Sequence, residues 1–424
     1  MAVDVEPRAE GTPHVDATLP RAFGKYLLVD RIGRGGMADI FLARMATEFG
    51  AARRVVVKQI LPEFTSDSGF SQALISEAKL AAQLSHTNIV RMLDLGRESG
   101  RLYIAMEYVE GFDLNQLLAQ LSQRRLPLPA EFALFIVREV LSALDYAHRA
   151  TDAQGTPLGV VHRDVSPSNV LISFEGEVRL CDFGIARAYS AESHHRNYVA
   201  SRDPNDSRIQ RIRLVGKSAY MAPEHARGAE VDARSDVFAA GILLWELCAG
   251  RRLYKGNDQE MLEQARNAIV PTLPARGLPD HARLVAILDR ALARDPATRF
   301  QSAQEMLAEL ETYALSAQLM ASQLRFGSFL SGHFGEQIVA LRRERERAAE
   351  ASLPPDRNSL RAAKRVSEPA LGANVRNVDR RSPPHARSSE ASFDDEGSLR
   401  PSLARRVVIA LAIALFLLAL WLRR

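Results

Sequence analysis

The feature that most constrains this chain is a pair of short runs near its middle. His162-Arg163-Asp164 is followed five residues later by Asn169, and Asp182-Phe183-Gly184 comes after a strand-like stretch through Val178 and Leu180. Any fold the chain adopts must bring a tight loop and the end of a following strand to one place. Two carboxylates and a carboxamide would then converge. Two oxygen ligands and a separate acidic base suit a Mg²⁺-nucleotide, because Mg²⁺ takes few protein ligands and keeps positions for phosphate oxygens.

A 424-residue chain with 46% hydrophobic residues holds one two-lobed enzyme domain plus extra segments. The formal charge of +4 gives no global attraction to nucleic acid, and none is expected as a partner. The two cysteines, Cys181 and Cys248, sit in apolar runs and read as buried reduced thiols. They are too few for a disulfide framework or a zinc site.

Upstream, Ile32-Gly33-Arg34-Gly35-Gly36-Met37-Ala38-Asp39-Ile40 lies between two strand-like runs, Tyr26 to Val29 and Ile40 to Ala43. Glycines there let backbone approach phosphates where a Cβ would intrude. The next strand, Arg54 to Lys58, ends an apolar run in a lysine. The helix from Ser71 to Leu84 carries Glu77, and a strand from Leu102 to Met106 runs into Glu107-Tyr108-Val109-Glu110-Gly111. Downstream lie Tyr220-Met221-Ala222-Pro223-Glu224, Ser235-Asp236-Val237-Phe238 and Arg294-Asp295-Pro296-Ala297-Thr298-Arg299-Phe300.

In this order the runs resemble those of eukaryotic-type (Hanks-type) Ser/Thr protein kinases, closest in style to bacterial ones, over about residues 26 to 310. The resemblance implies an α+β, bilobal protein-kinase fold: a small β-rich N-lobe with one helix and a larger helical C-lobe. It implies ATP and Mg²⁺ as cofactors and protein Ser/Thr hydroxyls as acceptors. Carried over residue by residue, Asp164 orients the acceptor hydroxyl and takes its proton, while Asn169 and Asp182 bind Mg²⁺. Lys58 contacts the α- and β-phosphates and Glu77 holds it. Residues 32–40 cover the phosphates. Met106 is the gatekeeper, and the backbones of Glu107 and Val109 hold the adenine edge. Arg163 reads a phosphate or acid in the activation segment, Glu224 and Arg299 form a buried ion pair, and Asp236 braces the catalytic loop.

The chain departs from the family pattern at three positions. Ala38 stands at the usual third glycine. Ser166 stands where these kinases carry a lysine two residues after the catalytic aspartate. Lys217 stands where they carry a threonine seven residues before the final glutamate of the activation segment. One reading lets Lys217 reach back to supply the lost charge, with Ser166 taking the hydroxyl role. The other lets Lys217 point to solvent, with reduced activity. The function expected is a membrane-tethered Ser/Thr protein kinase in signalling. The alternative is a catalytically weak pseudokinase that acts as a nucleotide-binding membrane scaffold. Ser190, Ser193, Ser201, Ser207 and Ser218 are candidate autophosphorylation sites.

The expected organisation is a disordered tail over 1–22, the kinase domain over 23–315, and a helical extension over 316–352. A disordered Ser/Pro/Arg-rich linker follows over 353–404, then a C-terminal membrane anchor over 405–424. In the extension, Leu324, Phe329, Phe334, Ile338 and Leu341 are spaced as one helix face, and the mixed-charge run Arg342 to Arg347 reads as solvated. Val407 to Leu422 is sixteen uncharged residues between arginine pairs, read as a single apolar helix. As a helix it would rise about 24 Å, which snorkelling arginines and local thinning could match to a bilayer. A kinase domain using ATP would then lie on the cytoplasmic side of the cytoplasmic membrane, anchored by a single pass.

Overall fold

The computed structural model describes residues 19–46, 52–66, 68–183 and 218–351. Lys217, Gly184, the serines at 190, 193, 201 and 207, the linker and the apolar run 407–422 lie outside the described residues. No described helix is long and apolar enough to cross a membrane.

The first lobe is a six-stranded antiparallel sheet in the order β1-β2-β3-β4-β6-β5. Its strands are β1 (Arg21–Phe23), β2 (Tyr26–Arg34), β3 (Ala38–Ala46), β4 (Ala52–Ile60), β5 (Met92–Glu98) and β6 (Arg101–Glu107). The first described strand, β1, begins two residues before position 23. Strand alternation sends Val55 and Val57 to one apolar cluster, with Phe23, Leu28 and Phe41, and Ile60 to another, with Ile104. The short helix α1 (Pro62–Thr65) leads to α2 (Ser68–Ala81), which covers the second face through Phe70, Leu74 and Ala78. By the same alternation Lys58, two residues before Ile60, points to the α2 side.

A three-residue connection, 108–110, leads to the second lobe. Here β7 (Gly111–Asp113), β8 (Val170–Ser173) and β9 (Val178–Leu180) form a small antiparallel sheet. The helices are α3 (Leu114–Gln123), α4 (Ala130–His148), α5 (Pro223–Ala226), α6 (Ala233–Ala249), α7 (Asp258–Asn267), α8 (His281–Ala291), α9 (Ala303–Ser316) and α10 (Gln323–Ala351). Every side chain of α6 from Ser235 to Ala249 is buried, which makes it the axis of this lobe. The Asp232 carboxylate caps its start by accepting from Arg234 N–H, and Gly250 ends it with φ +62°. Cys181 and Cys248 are both buried free thiols, and burial pushes Cys248 up to about 12.

The extension is helical, and four residues of its expected face pack on the core: Phe334 and Ile338 are buried and Phe329 and Leu341 are half-buried. Leu324 is the exception at 79% exposed, and Phe326 and Leu330 complete a buried row with Phe334 and Ile338 at steps of four. The aromatic rings of Phe326 and Phe329 both pack on Phe132 of α4, at 5.0 Å. Two glycines permit the close approach of α10 to the β8–β9 turn. A Cβ on Gly176, whose φ is +86°, would lie 2.2 Å from the Gln323 carbonyl oxygen, and one on Gly327 would lie 2.6 Å from the Glu175 carbonyl oxygen. Gly176→Ala is therefore expected to destabilise the docking of α10 by about 1–3 kcal/mol, read as faster hydrogen exchange in α10 than in α6.

Candidate active site

Four segments meet below the first sheet. Lys58 stands on β4 between Ile40 of β3 and Ile104 of β6 in the strand register. Only 8% of the residue is exposed, and its ammonium donates to Asp182 Oδ2 at 2.9 Å. Burial alone would lower the Lys58 value, but the Asp182 carboxylate outweighs it and holds the amine above the ordinary lysine value. This corrects one expectation. The ion pair of Lys58 runs to Asp182, not to Glu77, which sits half-buried on α2. Helix position relative to the sheet is a tertiary quantity, and local spacing does not fix it.

The loop of residues 162–169 is held from behind. Asp236, in the first turn of α6, accepts the backbone N–H of His162 and of Arg163, each at 2.8 Å, and a bond from His148 Nε2 at 2.8 Å. Burial alone would raise this carboxyl. The His148 hydrogen bond, the two neighbouring imidazoles and the Arg163 N–H overcome it, so Asp236 lies below the ordinary aspartate value. His162 is fully buried. Its Nδ1 accepts from Asp164 N–H at 3.2 Å, so its ring proton sits on Nε2 and donates to the Cys181 carbonyl at 2.8 Å. The Phe183 ring packs edge-on against it at 4.5 Å. The histidine thus ties the loop bearing Asp164 to the strand end bearing Asp182. Arg163 and Asp182 both adopt left-handed backbone, at φ +66° and +64°, so local strain concentrates where the two segments meet.

Asn169 spends both carboxamide hydrogens on Asp164, donating to its carbonyl at 2.7 Å and to its Oδ2 at 3.0 Å. That fixes the Asp164 side chain and directs the Asn169 Oδ1 away from it. Cys181 N–H donates to the Asn169 carbonyl at 2.9 Å, which seats Asn169 beside Asp182. Among the described residues there is no cluster of three or more His, Cys, Asp or Glu side chains that could hold a metal. An amide oxygen and a carboxylate on adjoining backbone nevertheless suit a hard cation that draws its remaining ligands from phosphate and water.

Ser166 differs from expectation. It is 5% exposed, and its hydroxyl bonds the Ser168 hydroxyl at 3.1 Å, not Asp164. Position 166 therefore contributes an inward hydroxyl that stiffens the loop. Lys217 lies outside the described residues.

In the Gly-rich stretch, Ile32, Gly33 and Arg34 end β2 while Ala38, Asp39 and Ile40 begin β3. Gly35, Gly36 and Met37 alone form the turn, closed by Gly35 N–H on the Ala38 carbonyl at 2.8 Å. Arg34 and Asp39 pair across it at 3.6 Å. The Ala38 methyl is 1% exposed, inside the cluster with Ile60 and Phe70. A glycine there would lose that packing. At the connection between lobes, Met106 packs on the same cluster and Glu107 N–H donates to the Arg91 carbonyl at 3.0 Å. Glu107 carboxylate accepts Arg179 at 2.7 Å, and Val109 is half-buried.

Residues 26–310 match the model of the protein kinase domain family. The chain belongs to that family. It is 39% identical over 323 residues to a protein named tyrosine-protein kinase MasK from Myxococcus xanthus, covering 75% of this chain and 47% of that one. It is 33% identical over 294 residues to the serine/threonine-protein kinase PrkC of Bacillus subtilis, covering 69% of this chain and 41% of the relative. The chain therefore spans less than half the length of these curated relatives. The crystal structure of the Mycobacterium tuberculosis PknI kinase domain superposes with a TM-score of 0.51 at 31% identity, over 70% of this chain and 98% of that one. The fold is the bilobal protein-kinase fold of bacterial Hanks-type enzymes.

Proposed function

We propose that this kinase domain transfers the γ-phosphate of ATP, with Mg²⁺, to Ser or Thr hydroxyls of proteins in signalling. The single observation that carries this reading is the adjacency of the Lys58–Asp182 pair, at 2.9 Å, to the Asp164–Asn169 pair, at 3.0 Å. Asp164, oriented by Asn169, accepts the proton of the acceptor hydroxyl. Lys58, kept charged by its carboxylate partner, holds phosphate oxygens. Asn169 and Asp182 would hold Mg²⁺, which when bound neutralises charge on the phosphates. The connection 108–110 offers backbone to the base.

The apolar sequence 407–422 supports a membrane tether, because sixteen uncharged residues beyond a Ser/Pro/Arg-rich stretch would, if helical, have no polar face to present to water. In that arrangement the kinase domain faces the cytoplasm.

A second reading, a nucleotide-binding scaffold with weak transfer, draws support from Ser166, whose hydroxyl is tied to Ser168 where a cation is usual. One experiment separates the two. The full chain is incubated with labelled ATP and Mg²⁺, wild type against Asp164→Asn, with nucleotide binding followed in parallel. Incorporation should fall by at least about 10²-fold in the variant. Equal incorporation would exclude Asp164 as the base, and binding without incorporation in the wild type would favour the scaffold. Phosphoamino-acid analysis of the product tells Ser/Thr from Tyr, since one relative is named a tyrosine kinase.

A further inference from the structure

The charged end of α10 does not simply face water. Arg342 donates from Nε to Glu110 Oε2 at 3.1 Å and from Nη2 to Glu175 Oε1 at 2.6 Å. The other Glu110 oxygen accepts from Arg54 Nη1 at 3.1 Å. Arg54 lies on β4, four residues before Lys58, Glu110 ends the connection between the lobes, and Glu175 sits in the β8–β9 turn. Charges alternating in sign thus run from the first lobe, through the hinge, to α10 and the second lobe. The Tyr108 ring lies between Arg54, at 5.8 Å, and Arg345 of α10, at 5.4 Å. The helix is anchored in the second lobe by Phe326 and Phe334, and it also touches β2 of the first lobe. Any change in the angle between the lobes must pass through residues 108–110, so it must stretch or break this chain of bonds.

We propose that Arg342 is a positioning residue for nucleotide binding. Acting through Glu110, it fixes the hinge backbone on which the base rests, and α10 serves as a strap holding the two lobes at one spacing. This rests on the ATP reading given above. Arg342 is 39% exposed and Glu110 21%, so the strap is accessible to salt. A guanidinium is needed in full, because its fork reaches two carboxylates on different segments where an ammonium offers one point charge.

The test uses the full chain as wild type, Arg342→Ala and Arg342→Lys. Equilibrium binding of Mg·ATP is measured together with KM for ATP, kcat and the melting temperature. Arg342→Ala should weaken ATP binding and raise KM by about fivefold, with kcat within about twofold, the scale of a half-exposed ion-pair network. Arg342→Lys should recover part of the loss. The gap between wild type and Arg342→Ala should close near 1 M salt, where the Debye length falls to about 3 Å. ATP affinity equal in wild type and Arg342→Ala overturns the strap alone. So does equal weakening of both variants with a lowered melting temperature and no salt dependence, which marks a purely structural residue. A wild type that binds no Mg·ATP overturns the nucleotide reading, and the strap with it.

Discussion

Asp182→Asn in the full chain is expected to lower phosphotransfer by about 10⁴-fold or more. Two separate losses combine in that figure. The carboxylate charge that would face Mg²⁺ disappears, and Lys58, which would hold the phosphates, loses the partner 2.9 Å away that keeps it charged and oriented. Each loss is worth about 3 kcal/mol of transition-state stabilisation, and about 1.4 kcal/mol corresponds to tenfold in rate. The variant is nearly isosteric, so the fold should persist with a modest fall in melting temperature. That fall arises because the Lys58 side chain, 10% exposed, is left as a buried charge without a counter-ion. Its amine value should drop, because burial is the largest influence on it and would no longer be opposed by Asp182. Transfer within tenfold of wild type would remove Asp182 from the mechanism.

The site was legible in the sequence to the extent that its parts are local. Asp164 and Asn169 share one loop, and Asp182 follows a hairpin, so order and spacing along the chain nearly determine their meeting. Lys58 was legible because a charge closing an apolar strand demands a partner. The identity of that partner was not. Choosing between Glu77 and Asp182 depends on where α2 rests against the sheet, which no window of sequence encodes. Ser166 shows the same limit at smaller scale, since its hydroxyl turned to Ser168, two residues away, and not to the aspartate.

The extension shows how averages mislead. A run of mixed charge is commonly a solvated face, yet Arg342 finds partners 232 and 167 residues earlier in the chain. The expected apolar face holds at Phe329, Phe334, Ile338 and Leu341, which pack on the core, but it takes in the exposed Leu324 and omits the buried Phe326 and Leu330. The four-residue repeat Phe326, Leu330, Phe334, Ile338 was the signal that could have found them.

The largest effect on stability is expected from Arg299→Ala. The Arg299 side chain is fully buried and pairs with both Glu224 oxygens at 2.7 Å, while Ser235 donates to the same carboxylate. It also donates to the carbonyls of Ala293, Arg234 and Arg294, and lies 4.7 Å from the centre of the Phe238 ring. Removing it strands a buried carboxylate and three carbonyls at once, so the loss should reach about 3–5 kcal/mol, measured by denaturant unfolding. Arg299→Lys should rescue little, because one ammonium cannot serve a bidentate carboxylate and three carbonyls. Acid distinguishes this ion pair from simple packing. Burial would raise the Glu224 carboxyl, but the bonds from Arg299 and Ser235 overcome it and hold the value below the ordinary 4.5. A depressed carboxylate contributes stability that is complete above the unfolded value and is lost as pH falls through the folded one. The difference between wild type and Arg299→Ala should therefore be largest near pH 8 and narrow as pH falls, first as the stranded Glu224 of the variant takes up a proton and further below about 4.5. A difference independent of pH down to the acid transition would assign the whole effect to packing around Phe238. Glu224 begins α5 directly after the buried turn Ser218–Tyr220, so the same pair anchors the end of the activation segment against α6.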